Sequence, residues 1–529
     1  MSRPLQRIFR RSAQPTGVAE IGSSHPRNRW VIFFVAWAAL SLMSAAWSIA
    51  TPISGAPDEP AHIIKAASVV RGEFIGKNSN IGQQVHVPAY IAFTQAQTCF
   101  AYDPRATANC SPVITGDEWK AVTSATSAGL YNPTYYMLVG WPSLIDHNSS
   151  GIYYMRIASG IVSSAFLAAT LMMIYTWRRR MLPVLGFAVA ATPMVFFLNG
   201  VVNPNSLETA GTLAAFVGVM SIVRSPVRRL LLERSVIVLI SAAIAVNTRG
   251  LSPLWVGVAV LTPFILASRG QIRELARQTA IRAAVIGVAL ATAAALVWIV
   301  LSNSLGAGLT ATSDTATGLG VGASPLRGFA QIFAGTFDYG QGVVGVFGWL
   351  DTPAPSAVFF TWAALIGSLA LLSFVSLRGK AQTLSLTLMS GLLLLPPVIQ
   401  AIYVHGGGIV WQGRYALPLY VCVAVGLAAL LADRIPRIDR TVQKRLVGLV
   451  VVLWAVAQIY AFAFALKRYG VGASGQSWKR LLTDPDWSPP GGTILSLALC
   501  LVTFILGAVL LHRLAVTTLS TKSSASLHD

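Results

Sequence analysis

A chain of 529 residues that is 54% hydrophobic and only 11% charged, with a mean hydropathy of +0.63, carries more apolar surface than one water-soluble core can hide, so its solvent is lipid. The formal charge of +20 comes from short basic clusters scattered along the chain. A nucleic-acid reading is excluded, because it needs those residues gathered into a folded soluble domain that the sequence lacks.

Apolar runs of roughly 17–25 residues, each long enough to cross the ~30 Å hydrocarbon layer as a helix, recur along nearly the whole chain. They predict an all-α integral membrane protein of about 12 transmembrane helices (about 10–13, since the weakest runs can be counted either way). The runs cover 30–50, 152–176, 182–200, 206–223, 234–249, 251–268, 283–302, 357–376, 383–403, 416–432, 446–466 and 492–512. Only Asn247-Thr248-Arg249-Gly250 separates the fifth from the sixth, a break that suits a re-entrant hairpin as well as a loop. The run from Trp30 is too long for the apolar region of a signal peptide and no small-residue cleavage site follows it. It reads as an uncleaved first helix.

When the spans alternate, six basic clusters fall on one side: Arg3 to Arg29, Arg178-Arg179-Arg180, Arg224 to Arg234, Arg269 to Arg282, Arg378 with Lys380, and Arg434 to Arg445. Short Lys/Arg-rich loops stay cytoplasmic, which places both termini inside. The chain then divides into a basic N-terminus (1–29), a polytopic membrane domain (30–512) and a tail (513–529) expected to be disordered. Three outer loops are long, at 51–151, 303–356 and 467–491. The working face is therefore outside.

The first outer loop opens with Asp58-Glu59-Pro60-Ala61-His62. Asp58 suits a helix cap and Pro60 a first turn, and Ile63, Ile64, Ala67 and Val70 give a helix over 58–72 an apolar face to lay on the membrane surface. Asp58 and His62, four residues apart, share one side, with Lys65 and Arg71 nearby to attract an anion. Two acids and an imidazole at the water's edge suit proton abstraction from a hydroxyl, so Asp58, Glu59 and His62 are the candidate catalytic residues. The plainer alternative is that both acids serve the positive end of the helix. Asp58 and Glu59 are also the pair that could hold a divalent cation, although His86, His147 and His405 have no metal-site spacing.

Further along this loop Cys99 and Cys110 can form a disulfide in an oxidising compartment, whereas Cys422 and Cys500 fall inside spans. Tyr131-Asn132-Pro133-Thr134-Tyr135-Tyr136 leads into a short apolar run, Tyr136 to Ile145, too brief to span and therefore interfacial. Arg156 heads the second span and is expected to snorkel outward. Asn203-Pro204-Asn205 precedes Glu208 in the first turn of the fourth span, where an acid is costly and points to function; the plainer alternative is a helix-start acid stabilised by the dipole, with Arg249 as a candidate partner. The 303–356 loop is rich in Gly, Ser and Thr through Ser324, as a mobile lid or a plain connector would be. It ends in Phe347-Gly348-Trp349-Leu350-Asp351-Thr352-Pro353. At the mouth of the tenth span stands Gln412-Gly413-Arg414-Tyr415; a guanidinium among Tyr403, Trp411 and Tyr415 can grip a phosphate bidentately, or simply belong to an aromatic belt.

Pro57-Asp58-Glu59-Pro60-x-His62, Asn132-Pro133-x-Tyr135-Tyr136, Asn203-Pro204-Asn205, Gly348-Trp349-Leu350-Asp351 and Gln412-Gly413-Arg414-Tyr415, in this order and placement, resemble the bacterial multi-pass family called domain of unknown function 2142 over roughly residues 30 to 500. The layout is similar to that of the C-type glycosyltransferases, which set an acidic motif in the first extracytoplasmic loop and use polyprenyl-phosphate sugars. What that resemblance implies is an enzyme of the bacterial plasma membrane. It would take a polyprenyl-phosphate sugar donor and a glycan or lipid acceptor, with Asp58 or Glu59 at the acceptor hydroxyl. Departing from some such enzymes, the chain appends no large soluble domain, which leaves acceptor recognition to the outer loops. The substrate- and phosphate-binding candidates are Lys65, Arg71, Asn132, Tyr135, Asn203, Asn205, Glu208, Asp351, Gln412, Arg414 and Tyr415. Two rival readings are a flippase for a lipid-linked saccharide, which calls for discontinuous helices and polar groups at mid-bilayer, and a non-catalytic envelope assembly factor.

Overall fold

The computed structural model describes residues 26–146, 148–305, 320–434, 439–473 and 477–516. The N-terminal basic segment up to residue 25, His147, the greater part of the Gly/Ser/Thr stretch with its expected lid, and the tail from residue 517 lie outside the described residues.

Every one of the twelve apolar runs falls on a helix. Nine of these helices, among the described residues, are long and apolar enough to cross a membrane, or ten if one bent pair counts as a span. The bent pair is the third run, where Met181–Ala190 and Pro193–Asn199 meet at 63°. Pro193 lacks an N–H and holds Thr192 extended; the Thr192 hydroxyl then caps the second piece by accepting from the Val195 amide. The Ala191 carbonyl freed by the break accepts from Trp454 Nε1 at 3.0 Å and Gln458 Nε2 at 2.7 Å. The fifth and sixth runs are shorter than a full span: Leu231–Val246 has 16 residues, and Ser252–Leu261 has 10 before a 3₁₀ turn.

At one end of the bundle the basic clusters meet. Arg29 pairs with Glu233 at 2.8 Å and Arg224 with Asp433, Arg179 donates to the Ala432 carbonyl, Lys380 to that of Ala267 and Arg434 to that of Arg378. The alternation read from the sequence therefore closes in space.

At the opposite end the first loop folds into a cap. Its three-stranded antiparallel sheet joins Lys77–Ser79, Gly82–Pro88 and Ala121–Thr126, with Val85 opposite Ser124. An all-α reading leaves no place for this sheet, although the alternation in Gln84-Val85-His86-Val87 is a strand pattern. Cys99 and Cys110 form the expected disulfide, with Cα atoms 6.1 Å apart.

Beneath the sheet lies the helix Glu59–Val69. Contrary to the expectation of a helix on the membrane surface, all its residues but Ala61 are buried. The Thr126 hydroxyl donates to the Ala61 carbonyl at 2.7 Å, and Gly140 approaches the Ala66 carbonyl so closely that a Cβ there would stand 2.3 Å away. Covered by both sheet and helix Thr134–Gly140, this segment is core. On the short apolar run, Met137, Trp141, Leu144 and Ile145 are instead 45% to 69% exposed.

Candidate functional site

Asp58 sits just before its helix with φ +62° and makes no side-chain cap, so the capping role expected of it is not played. Left-handed backbone costs a non-glycine residue about 1–2 kcal/mol, least for Asp and Asn. Here it turns the carboxylate away from the helix and onto Arg414, with Oδ2 and Nη2 2.6 Å apart. Arg414 is held in turn: Nε donates to Gln412 Oε1 at 2.7 Å and Nη1 to the Pro57 carbonyl at 3.4 Å. Asn203 Nδ2 reaches that same carbonyl at 3.3 Å. Three motifs far apart in sequence thus close around one peptide group.

The pair is asymmetric. The Arg414 side chain is 2% exposed and that of Asp58 49%, so a fixed cation lies beneath an accessible carboxylate. Burial pushes the Asp58 carboxyl up, but Arg414, together with His62 and Arg249, outweighs it and holds the group below its ordinary range. Asp58 is ionised at neutral pH and a weak base while that contact lasts.

A second ion pair adjoins it. Arg249, in the break between the fifth and sixth runs, stands 3.5 Å from Glu208, which also accepts from Ser252 Oγ at 2.6 Å. The Tyr415 ring lies between the two cations, 4.5 Å from Arg249 and 5.3 Å from Arg414. Asn132 ties this break to the first loop through Asn247, Nδ2 to Oδ1, at 2.9 Å. Asp58, Arg414, Tyr415, Arg249 and Glu208 are therefore one chain of contacts at the capped ends of the helices.

Other candidates are engaged elsewhere. Both Glu59 oxygens accept from Arg156 at 2.7 Å, and the Val202 amide reaches Oε1 at 3.1 Å. Neither side chain has any exposure, so Arg156 does not snorkel and Glu59 faces no substrate. His62 Nδ1 lies 2.9 Å from the Tyr136 hydroxyl; burial, only partly offset by Asp58, takes its pKa down to about 3. It is a neutral hydrogen-bonding group that positions its surroundings.

Lys65 donates to the carbonyls of Phe74 and Gly129, and burial lowers its pKa to about 7. Arg71 is bound to the hydroxyl and carbonyl of Ser143 and to the Ala67 carbonyl at 2.7–2.9 Å. Neither reaches an anion beside Asp58, and both staple the cap to its own backbone. Tyr135 is fully buried with its hydroxyl 2.9 Å from Ser159 Oγ. Asn205 donates its amide to Asn203 Oδ1 at 3.1 Å, and its buried Nδ2 has no partner among the described residues.

Asp351 is likewise structural, paired with Arg468 at 3.0 Å. That arginine also gathers the carbonyls of Phe100, Asp103 and Ala106, so the 303–356 loop and the eleventh span clamp the disulfide segment. Trp349 Nε1 donates to the Ser54 carbonyl at 2.9 Å, which fixes the chain just ahead of Asp58. Among the described residues no three His, Cys, Asp or Glu side chains come together as a metal site.

Arg249, Tyr131 and Arg468 were not singled out as site residues from sequence. Arg249 was legible as a lone charge in a break between apolar runs. Nothing local marks Arg468, whose partners lie in distant loops.

Among solved structures, the crystal structure of ArnT from Cupriavidus metallidurans bound to undecaprenyl phosphate is similar at a TM-score of 0.45 and 14% identity, over 93% of this chain and 78% of that one. No curated protein matches the sequence. The model of the family described as predicted membrane protein (DUF2142) matches residues 41–423, a stretch that holds Asp58, Glu208, Arg249 and Arg414. This chain is a membrane protein and belongs to the DUF2142 family.

Proposed function

We propose that the protein is a glycosyltransferase of the plasma membrane that moves a sugar from a polyprenyl-phosphate donor to an envelope glycan or lipid at the outer face. The observation that carries this reading is the half-exposed Asp58 carboxylate resting on the buried Arg414 guanidinium, beside Arg249, where the helix ends meet the cap. The donor phosphate, a better bidentate partner than a monodentate carboxylate, draws Arg414 from Asp58. Relieved of its cation, Asp58 gains basicity and accepts the proton of the acceptor hydroxyl. The acceptor oxygen bonds to the anomeric carbon as the bond from that carbon to the phosphate oxygen breaks. Charge gathered on the departing polyprenyl phosphate is stabilised by Arg414 and Arg249. The proton on Asp58 then passes to water.

A flippase is favoured by one observation, the 63° break in the third run. That break, however, has its freed carbonyl taken by Trp454 and Gln458, whereas a transport site leaves such groups for its cargo. The polar contacts of the site lie at helix ends, as surface chemistry requires.

The test is to delete the gene and restore it as wild type, Asp58→Asn or Arg414→Ala at matched expression, then profile envelope glycans and lipid-linked sugars. Asp58→Asn is expected to cut transfer about 10²–10⁴-fold and to accumulate the donor. Arg414→Ala is expected to raise KM for the donor as well as lower kcat. A wild-type glycan profile with Asp58→Asn sinks the reading and leaves the assembly factor in its place.

A further inference from the structure

We propose that the crevice between the Asn247–Gly250 break and the outer end of the seventh span, Thr279–Ser302, holds the phosphate of a membrane lipid against Arg249, and that the lipid enters it sideways from the bilayer. This rests on the lipid-phosphate donor proposed above, and adds where its headgroup is first held and by which route it arrives.

Three arginines at this end, Arg156, Arg468 and Arg249, differ in what they already hold. Arg156 donates to Glu59 and to the carbonyls of Ser48, Thr51 and Pro52. Arg468 donates to Asp351, Thr352 and three carbonyls. Their guanidinium donors are saturated, and they hold structure together. Arg249, 13% exposed, has Glu208 at 3.5 Å and the Tyr131 hydroxyl for a group with five donors. Glu208 already has its shorter bond to Ser252, at 2.6 Å. Of these three cations, Arg249 has the donors left for a ligand.

The surroundings suit a lipid phosphate. Arg249 lines the crevice with Tyr131, Asn132, Gly250, Trp298 and Ser304, an amide and two rings around one guanidinium. On the same helix as Trp298, the side chains of Leu296, Val297, Val300 and Leu301 are 49% to 82% exposed and face lipid. The crevice mouth therefore opens beside the hydrocarbon. Leu305 covers it: a Cβ on Gly250 would stand 2.5 Å from Leu305 Cδ2, and Leu305 is itself 48% exposed. As it stands the crevice admits about a water-sized group, so Leu305 swings off Gly250 when a phosphate enters. Across the Tyr415 ring lies Arg414, so the phosphate passes from one guanidinium to the other beside the base.

The test uses the full-length protein in phosphatidylcholine nanodiscs, with binding of farnesyl phosphate, farnesol and inorganic phosphate measured separately. Farnesyl phosphate is expected to bind at least tenfold more tightly than either of the others. Arg249→Ala should weaken it about tenfold or more, Arg249→Lys should recover part of the loss, and Leu305→Trp, which blocks the mouth without touching charge, should slow its association. Wild-type binding by both Arg249→Ala and Leu305→Trp overturns the proposal. So does inorganic phosphate binding as tightly as farnesyl phosphate, which would make this a site for soluble anions. Asp58→Asn separates the two claims: undiminished transfer there removes the enzymatic reading alone, while loss of the farnesyl phosphate response in Arg249→Ala still stands for the crevice.

Discussion

Glu59→Gln distinguishes a structural from a chemical role for the second acid of the opening motif. Glu59 and Arg156 have no solvent exposure and share two hydrogen bonds of 2.7 Å. The amide retains one acceptor oxygen, which both Arg156 Nε and the Val202 N–H already seek, and it turns an NH₂ toward Nη2. Arg156 is then a buried cation with no counter-charge, faced by one shared amide oxygen and the carbonyls of Ser48, Thr51 and Pro52. Removing one partner of such a pair costs about 3–5 kcal/mol, a large part of the roughly 5–15 kcal/mol that keeps a typical domain folded. Replacing both partners, as in Glu59→Met with Arg156→Met, should cost less than the two single changes together, because no charge is stranded. Thermal unfolding in nanodiscs of wild type, the two Met variants and their double measures this coupling, and Glu59→Gln is followed alongside with sugar transfer recorded on the folded fraction. An unshifted melting curve for Glu59→Gln together with lost transfer refutes the structural assignment.

His62 gives a pH signature. The folded chain holds it neutral down to about 3 against an ordinary 6.5, so below 6.5 the unfolded chain binds a proton that the folded chain refuses. Its contribution is complete above 6.5 and declines as pH falls toward 3, by about 1.4 kcal/mol per pH unit. Wild type should lose stability over that window faster than His62→Gln, and parallel stability curves contradict the assignment. Gly413→Ala should displace the arginine loop, since the added Cβ would lie 1.9 Å from the Tyr339 carbonyl oxygen and 2.9 Å from Gly342 Cα. A shift of about 1 Å in a positioned group costs about 10² in rate; full transfer by Gly413→Ala would show that Arg414 needs no such support.

The membrane architecture and the motifs were readable because their causes are local. Span length follows from the thickness of hydrocarbon, the gathering of basic clusters at one end of the bundle from where Lys and Arg fall, and the Cys99–Cys110 bridge from two thiols in one loop. Roles within the motifs were not readable in the same way. Asp58 and Glu59 are chemically alike and adjacent, yet one meets Arg414, 356 residues away, and the other Arg156, 97 residues away. Lys65 and Arg71 looked available for an anion because sequence does not show which backbone carbonyls will close around a cation. The helix at 59–69 reads as a surface helix because its apolar face is visible in sequence, whereas the sheet and helix that bury it come from residues 77–140.

What the sequence by itself determined is therefore a polytopic membrane protein with a large cap on one side and its scarce polar motifs gathered at that side, because hydrophobic run length and charge sidedness act along the chain. The tertiary structure alone decided that Asp58 is the acid left accessible, that Glu59 is held by Arg156, and that Arg249 joins Arg414 across Tyr415. Ion pairing in a low-dielectric interior depends on which distant groups are brought within about 3 Å, and only the packing of the helices sets that distance.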